Sequence, residues 1–217
     1  MKRRFIITGV GHSGTGWAYK AMNYLGFACG HEWIYNFRDV HRWGNLQGDS
    51  AWPAAALLDK MPPNTHVAHL VRDPIEVVTS AHLAGFTNLR ICNTPYMKYV
   101  TRHLPYMQEI SDDYERAMAW VFAWNRLAER KAEGIPFRRF RIEDISTDPH
   151  QLRLFCAHLT GVLPEQKVVK DVMSIIPTNY NSHRKGKDPI TWGDLPDSSP
   201  WRQRLAEMAV EYGYQSY

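Results

Sequence analysis

The stretch Phe5-Ile-Ile-Thr-Gly-Val-Gly-His-Ser-Gly-Thr-Gly-Trp17 decides how the chain is read. An apolar run of strand character empties into a glycine-rich loop, and the loop opens a helix at Trp17-Ala-Tyr-Lys-Ala-Met22. Gly11, Gly14 and Gly16 let the backbone approach an anion closely, while the free N–H groups and dipole of a helix start favour negative charge at that spot. Strand-to-helix turns of this kind also serve plain packing, so other segments must decide between a phosphate cradle and a structural turn.

The loop is not a Walker A motif. Gly9 and Gly14 have its spacing, but Thr15-Gly16 stand where Lys-Ser or Lys-Thr is required, which disfavours a phosphotransferase using ATP and Mg²⁺. Ser13, Gly14, Thr15 and Trp17 instead match the pattern Pro-Lys/Arg-Ser-Gly-Thr-Thr/Ser-Trp, and on these residues the segment resembles the 5′-phosphosulfate loop of sulfotransferases that use 3′-phosphoadenosine-5′-phosphosulfate (PAPS). Gly11 replaces the proline of that pattern and His12 replaces its basic residue. A protonated histidine can supply the missing charge, and a neighbouring phosphate favours the imidazolium; His12 bonding only locally is the alternative.

A second segment, Asn64-Thr-His-Val-Ala-His-Leu-Val71, has the character of a buried strand and runs into Arg72-Asp73-Pro74, a helix start with its cap and first-turn proline. Ser80 follows Arg72 by eight positions, the spacing with which the family marks its 3′-phosphate site. Arg offers a planar fork of donors suited to phosphate. The structural alternative pairs Arg72 with Asp73 or Glu76 and makes Ser80 a small packing residue. Near the end of the chain, Arg184-Lys185-Gly186 is similar to the loop with which cytosolic family members close over that phosphate.

The resemblance implies transfer of a sulfuryl group from PAPS to a hydroxyl or amine on a small-molecule, carbohydrate or peptide acceptor, with no metal. In that scheme His12, Ser13 and the loop N–H groups hold the sulfuryl and 5′-phosphate oxygens. Arg72, Ser80, Arg184 and Lys185 hold the 3′-phosphate. Trp17 takes the place of the tryptophan that stacks on adenine, or else packs the helix beneath the loop. Cys29-Gly-His-Glu32 is similar to the Cys-Gly-Glu-Glu of tyrosylprotein sulfotransferases, which makes Glu32 the candidate general base, with His31 and His82 as alternatives. His103-Leu-Pro105 looks like a catalytic motif of cytosolic members but follows the Arg72 segment instead of preceding it. A module of the same fold that binds nucleotide without turnover is the rival from another class.

A chain of 217 residues with 44% hydrophobic content can form one sizeable core, and a single domain over 1–217 is expected. The net charge of +4 suits anionic ligands without indicating nucleic acid. Three scattered cysteines and ten histidines without HExxH spacing give neither a disulfide framework nor a zinc site. No segment approaches the ~20 apolar residues of a membrane span, so a cytoplasmic protein is expected.

The patterns predict strands at 4–10, 27–29, 65–71 and 137–142, and helices at 15–25, 74–84 and about 112–133, with helices thereafter. Glu143-Asp144 then ends the last strand. This alternation predicts an α/β fold with a central parallel sheet flanked on both faces and ligands beyond the carboxyl ends of the strands. With the resemblance it implies a three-layer sandwich of the P-loop-like sulfotransferase type. Trp120 and Trp124 recur at helical spacing and read as core. Residues 31–63 and 85–111 read as long connections rich in aromatics, including Trp33, Tyr35, Trp52 and Tyr96, which either line an acceptor pocket or pack the loops onto the body.

Overall fold

Strand β1 (Phe5–Thr8) is buried along its whole length, as its run of branched and aromatic residues requires of a central strand covered on both faces. The computed structural model describes residues 3–37, 43–62, 64–87, 94–178 and 188–215. Contacts divide the chain into two compact units, Met1–Val71 with Leu127–Asn181, and Arg72–Arg126 with Ser182–Tyr217.

The first unit holds the sheet. Its other strands are β2 (Cys29–His31), β3 (Gly48–Ser50), β4 (His66–Val71) and β5 (Phe137–Arg141), in the order β2-β3-β1-β4-β5. Every pairing is parallel, with Ile7 opposite Ser50 and Ala68, and Leu70 opposite Phe140. The protein is therefore α/β, with a five-stranded parallel sheet flanked by helices, consistent with a three-layer sandwich. The chain leaves β1 toward β2 on one side and later crosses to β4 on the other. The carboxyl ends of β1 and β4 thus form the switch point of the sheet, the usual place for a ligand in open α/β folds.

On one face Phe5, Ile7, Ala68, Leu70 and Phe140 pack against helices α1 (Thr15–Tyr24), α6 (Pro149–Thr160) and α7 (Gln166–Ile175), through Trp17, Met22, Phe155, Leu159 and Val169. Opposite strand residues alternate to the other face, where the 3₁₀ stretch Trp52–Lys60 buries Trp52 through Leu58. There the buried His69 ring lies 3.9 Å from the Glu129 carboxylate, which Arg139 also binds at 2.5 Å.

The second unit contains α2 (Pro74–Leu83), α3 (Pro95–His103), the larger part of α4 (Asp113–Lys131) and α8 (Pro200–Glu211). Asp73, Thr94 and Ser199 cap α2, α3 and α8 by accepting backbone N–H groups. The buried Arg116 guanidinium ties the loops before α4 by donating to the carbonyls of Thr87, Ile110 and Ser111 and to Asp113. Trp120 and Trp124 are fully buried, as their helical spacing indicates.

Three elements differ from the sequence patterns. Gly48–Ser50 is a strand, although it has no apolar residue, because Asp49 and Ser50 are buried through hydrogen bonds instead of hydrophobic contact. Pro95–His103 is a helix inside a predicted connection, started by the Thr94 cap. β5 stops at Arg141, and Ile142–Thr147 forms the short helix α5, so Glu143 and Asp144 lie in a helical first turn instead of at a strand end. Arg184, Lys185 and Gly186 lie outside the described residues.

A side chain at Gly48 has no room. A Cβ there would stand 2.2 Å from the ring of Phe5, which is 0% exposed. Gly48→Ala is expected to destabilise the fold by about 1–3 kcal/mol through overpacking. Urea denaturation checks this, and an unchanged midpoint would show that the Phe5 ring gives way freely.

Candidate functional site

β1 ends at Thr8, whose hydroxyl donates to the Ala51 carbonyl at 2.9 Å, and the chain turns out of the sheet at Gly9. Only hydrogen fits on Gly9, since a Cβ would meet the Leu70 carbonyl oxygen at 2.1 Å and Ser13 Oγ at 2.9 Å. The loop closes on itself where the Ser13 N–H donates to the Val10 carbonyl at 3.2 Å. His12 has φ 70° and Gly14 has φ 99°, so two of three consecutive residues are left-handed. Glycine adopts this without cost, whereas a histidine stores of the order of 1 kcal/mol of strain.

Gly14 also starts α1. Among the described residues no side chain caps this helix and its first turn has no acidic residue, as is also true of α7, whereas α2, α3, α6 and α8 are each capped by a side-chain oxygen. Ser13 is fully buried, and its hydroxyl has no hydrogen-bond partner among the described residues. An unmade hydrogen bond on a buried hydroxyl costs roughly 1–3 kcal/mol. The loop thus combines an uncapped helix start, an unsatisfied donor and a strained backbone. Together these suit a bound anion with several acceptor oxygens.

The second group forms at the carboxyl ends of β2 and β3. His31 ends β2, and its ring stacks on Tyr19 of α1 with centroids 5.4 Å apart. Partial burial of the imidazole lowers its pKa, although the residue keeps an edge in solvent. Glu32 follows with φ 54°; it and His12 are the non-glycine residues with positive φ among the described residues. Burial, and then the charge of Asp49, raise the Glu32 carboxyl from 4.5 to about 7. That is the range in which a carboxylate works as a general base near neutral pH.

Other sequence candidates are placed plainly. Trp17 is 2% exposed and packs in the core beneath the loop. Arg72 follows the last residue of β4 and pairs with Glu76 at 3.1 Å, and Ser80 is buried on α2. The His82 ring stacks on Tyr114 with centroids 4.1 Å apart. Among the aromatics of the first connection, Tyr35 and Trp52 are buried while Trp33, next to Glu32, is 72% exposed. Asp49 and Ser50 were missed by motif reading; the one available signal was a pair of polar residues after Gly48. Among the described residues no helix is long and apolar enough to cross a membrane. No family model, curated protein or solved structure matches the chain.

The raised Glu32 carboxyl has a consequence for stability. The folded state keeps a proton up to about pH 7 that the unfolded chain loses near 4.5, so folding weakens as pH rises between those values. The loss is at most about 3 kcal/mol. Glu32→Gln abolishes it, and denaturation at pH 4.5 and 8 is expected to show the variant gaining on wild type at the higher pH. Parallel pH dependences of the two proteins would contradict the raised value.

Proposed function

We propose that the chain is a sulfotransferase that moves a sulfuryl group from PAPS to an acceptor hydroxyl or amine and releases adenosine 3′,5′-bisphosphate. The observation that carries this reading is the buried, unpartnered Ser13 hydroxyl at the start of an uncapped helix, within a loop whose Ser13-Gly14-Thr15 and Trp17 follow the 5′-phosphosulfate pattern. An orphaned donor in an anion cradle fits a ligand with phosphate and sulfuryl oxygens.

PAPS supplies a sulfuryl group joined to its 5′-phosphate by an anhydride, so the sulfur–oxygen bond to the acceptor forms as the bond to the phosphate breaks. In this scheme the Ser13 hydroxyl and the N–H groups at the start of α1 take the 5′-phosphate oxygens. His12, as imidazolium, stabilises charge gathering on the bridging oxygen, the task of a lysine or arginine in the family pattern. Glu32 accepts the proton lost by the acceptor, and its raised affinity for a proton suits a weakly acidic hydroxyl. Arg72 and Ser80 are assigned the 3′-phosphate by their motif; Arg72 exchanges its Glu76 partner for phosphate. Arg184, Lys185 and Gly186 are assigned the loop that covers it.

Adenosine 3′,5′-bisphosphate is expected to stabilise the protein by about 2.7 kcal/mol at 100 times its dissociation constant, far more than 5′-AMP at the same concentration. Arg72→Ala is expected to erase that preference, because a charge-assisted phosphate contact is lost. Thermal shift measurements with the two nucleotides and with ATP–Mg²⁺ check this. Equal shifts from adenosine bisphosphate and 5′-AMP would overturn the 3′-phosphate assignment, and a preference for ATP–Mg²⁺ would favour a phosphotransferase.

A further inference from the structure

β3 has only three residues, and two of them hold the two halves of the candidate site. Asp49 is fully buried, and its carboxylate accepts the backbone N–H groups of three consecutive residues, Trp33 at 3.3 Å and Ile34 and Tyr35 at 2.9 Å each. These are the residues that follow Glu32. Ser50, also fully buried, donates its hydroxyl to the Thr15 carbonyl in the first turn of α1 at 2.8 Å. Its own carbonyl accepts the Glu32 N–H at 3.2 Å. Gly30, two residues before Glu32, is bare at a place where a Cβ would come within 2.6 Å of Asp49 Oδ1.

A buried carboxylate is expensive unless its lone pairs are filled, and here a turn of three N–H groups fills them. The same turn leaves Glu32 in a left-handed conformation that a glutamate does not adopt unaided. The chain before Glu32, the chain after it and the helix start next to the anion loop all bond to this one short strand. We infer that Asp49 is the positioning residue for Glu32, bracing its carboxylate in fixed register with the anion loop through the adjoining Ser50. For the reaction served, the inference rests on the sulfuryl-transfer reading; the geometry stands without it.

The charge of Asp49 contributes a second effect. Ionisable side chains on the surrounding elements are Asp49 on β3, Cys29 and His31 on β2, Tyr19, Lys20 and Tyr24 on α1, and Tyr35 in the turn. After burial, the Asp49 charge is what raises the Glu32 carboxyl. Asp49 is itself pushed above its ordinary value by burial, against the lowering effect of its N–H donors. A brace that only held the backbone would not move the titration of Glu32.

The test is a carboxyl-carbon NMR titration of Glu32 in wild type, Asp49→Asn and Asp49→Ala, with the pH profile of sulfuryl transfer measured alongside. Asparagine keeps an acceptor for the turn and removes the charge. The expected result is a Glu32 midpoint lowered by roughly one pH unit in Asp49→Asn, with the rising limb of kcat moving alongside and KM for PAPS unchanged. Asp49→Ala is expected to lose about 10–100-fold in kcat, partly restored by Asn. An Asp49→Ala variant that folds and keeps both the wild-type kcat and the wild-type Glu32 midpoint overturns the inference. Loss of fold in Asp49→Asn also overturns it, because Asp49 is then scaffold alone. Wild type that titrates as described and transfers no sulfuryl group refutes the sulfotransferase reading, while the NMR arms still decide the role of Asp49.

Discussion

All five strands run in one direction, and the arrangement of the candidate site depends on that constraint. Parallel neighbours cannot be joined by tight hairpins, so each strand must leave the sheet at its carboxyl end and return by a crossover. Five exits therefore open on the same edge. From β1 the exit is the glycine-rich loop, from β2 it is Glu32, and the last two residues of β3 tie these two exits together. The central position of β1 adds the switch point, where chain departures diverge to either side, the place at which open α/β sheets take their ligands.

That edge is also where the protein departs from its own local rules. Elsewhere α2, α3, α6 and α8 are capped by side chains, buried apolar residues fill both faces of the sheet, and positive φ among the described residues falls on glycine. At the edge His12 and Glu32 are left-handed, Ser13 has an unused hydroxyl, and Asp49 is a buried carboxylate. The two left-handed residues and the unused hydroxyl each oppose folding by about 1 kcal/mol or more, and together they approach a sizeable share of a typical domain's net stability. Sequences keep such features where a ligand repays them, and consistency fails most often at functional sites. Both non-glycine outliers fall on residues that motif reading had already selected as an anion ligand and a base.

The legible part of the fold was whatever carried hydrophobic period or helix punctuation. β1 and β4 are continuous apolar runs, α2 has Asp73-Pro74 at its start, and α4 shows Trp120 and Trp124 one turn apart. β3 was illegible for a physical reason. Its burial is satisfied by hydrogen bonds that Asp49 accepts and Ser50 donates, and no pattern of hydrophobicity reports a polar strand held in this way. The candidate site was legible where its chemistry needs a local run, as at Gly11–Trp17. It was illegible where it needs residues brought from afar, as with Asp49, which reaches the turn after Glu32 only once β2 and β3 pair. The β2 boundary mattered too, since a strand over Cys29–His31, two residues later than the pattern suggested, puts Glu32 at the strand exit.

The central claim is that the loop between β1 and α1 is built for the 5′ end of a phosphoadenosine donor. A crystal structure of the protein with adenosine 3′,5′-bisphosphate tests it most directly. The account predicts the 5′-phosphate within hydrogen-bond distance of Ser13 Oγ and of the N–H groups at the start of α1, with the imidazole of His12 turned toward it. A nucleotide seated elsewhere, with Ser13 still unpartnered and the helix start bare, would contradict it.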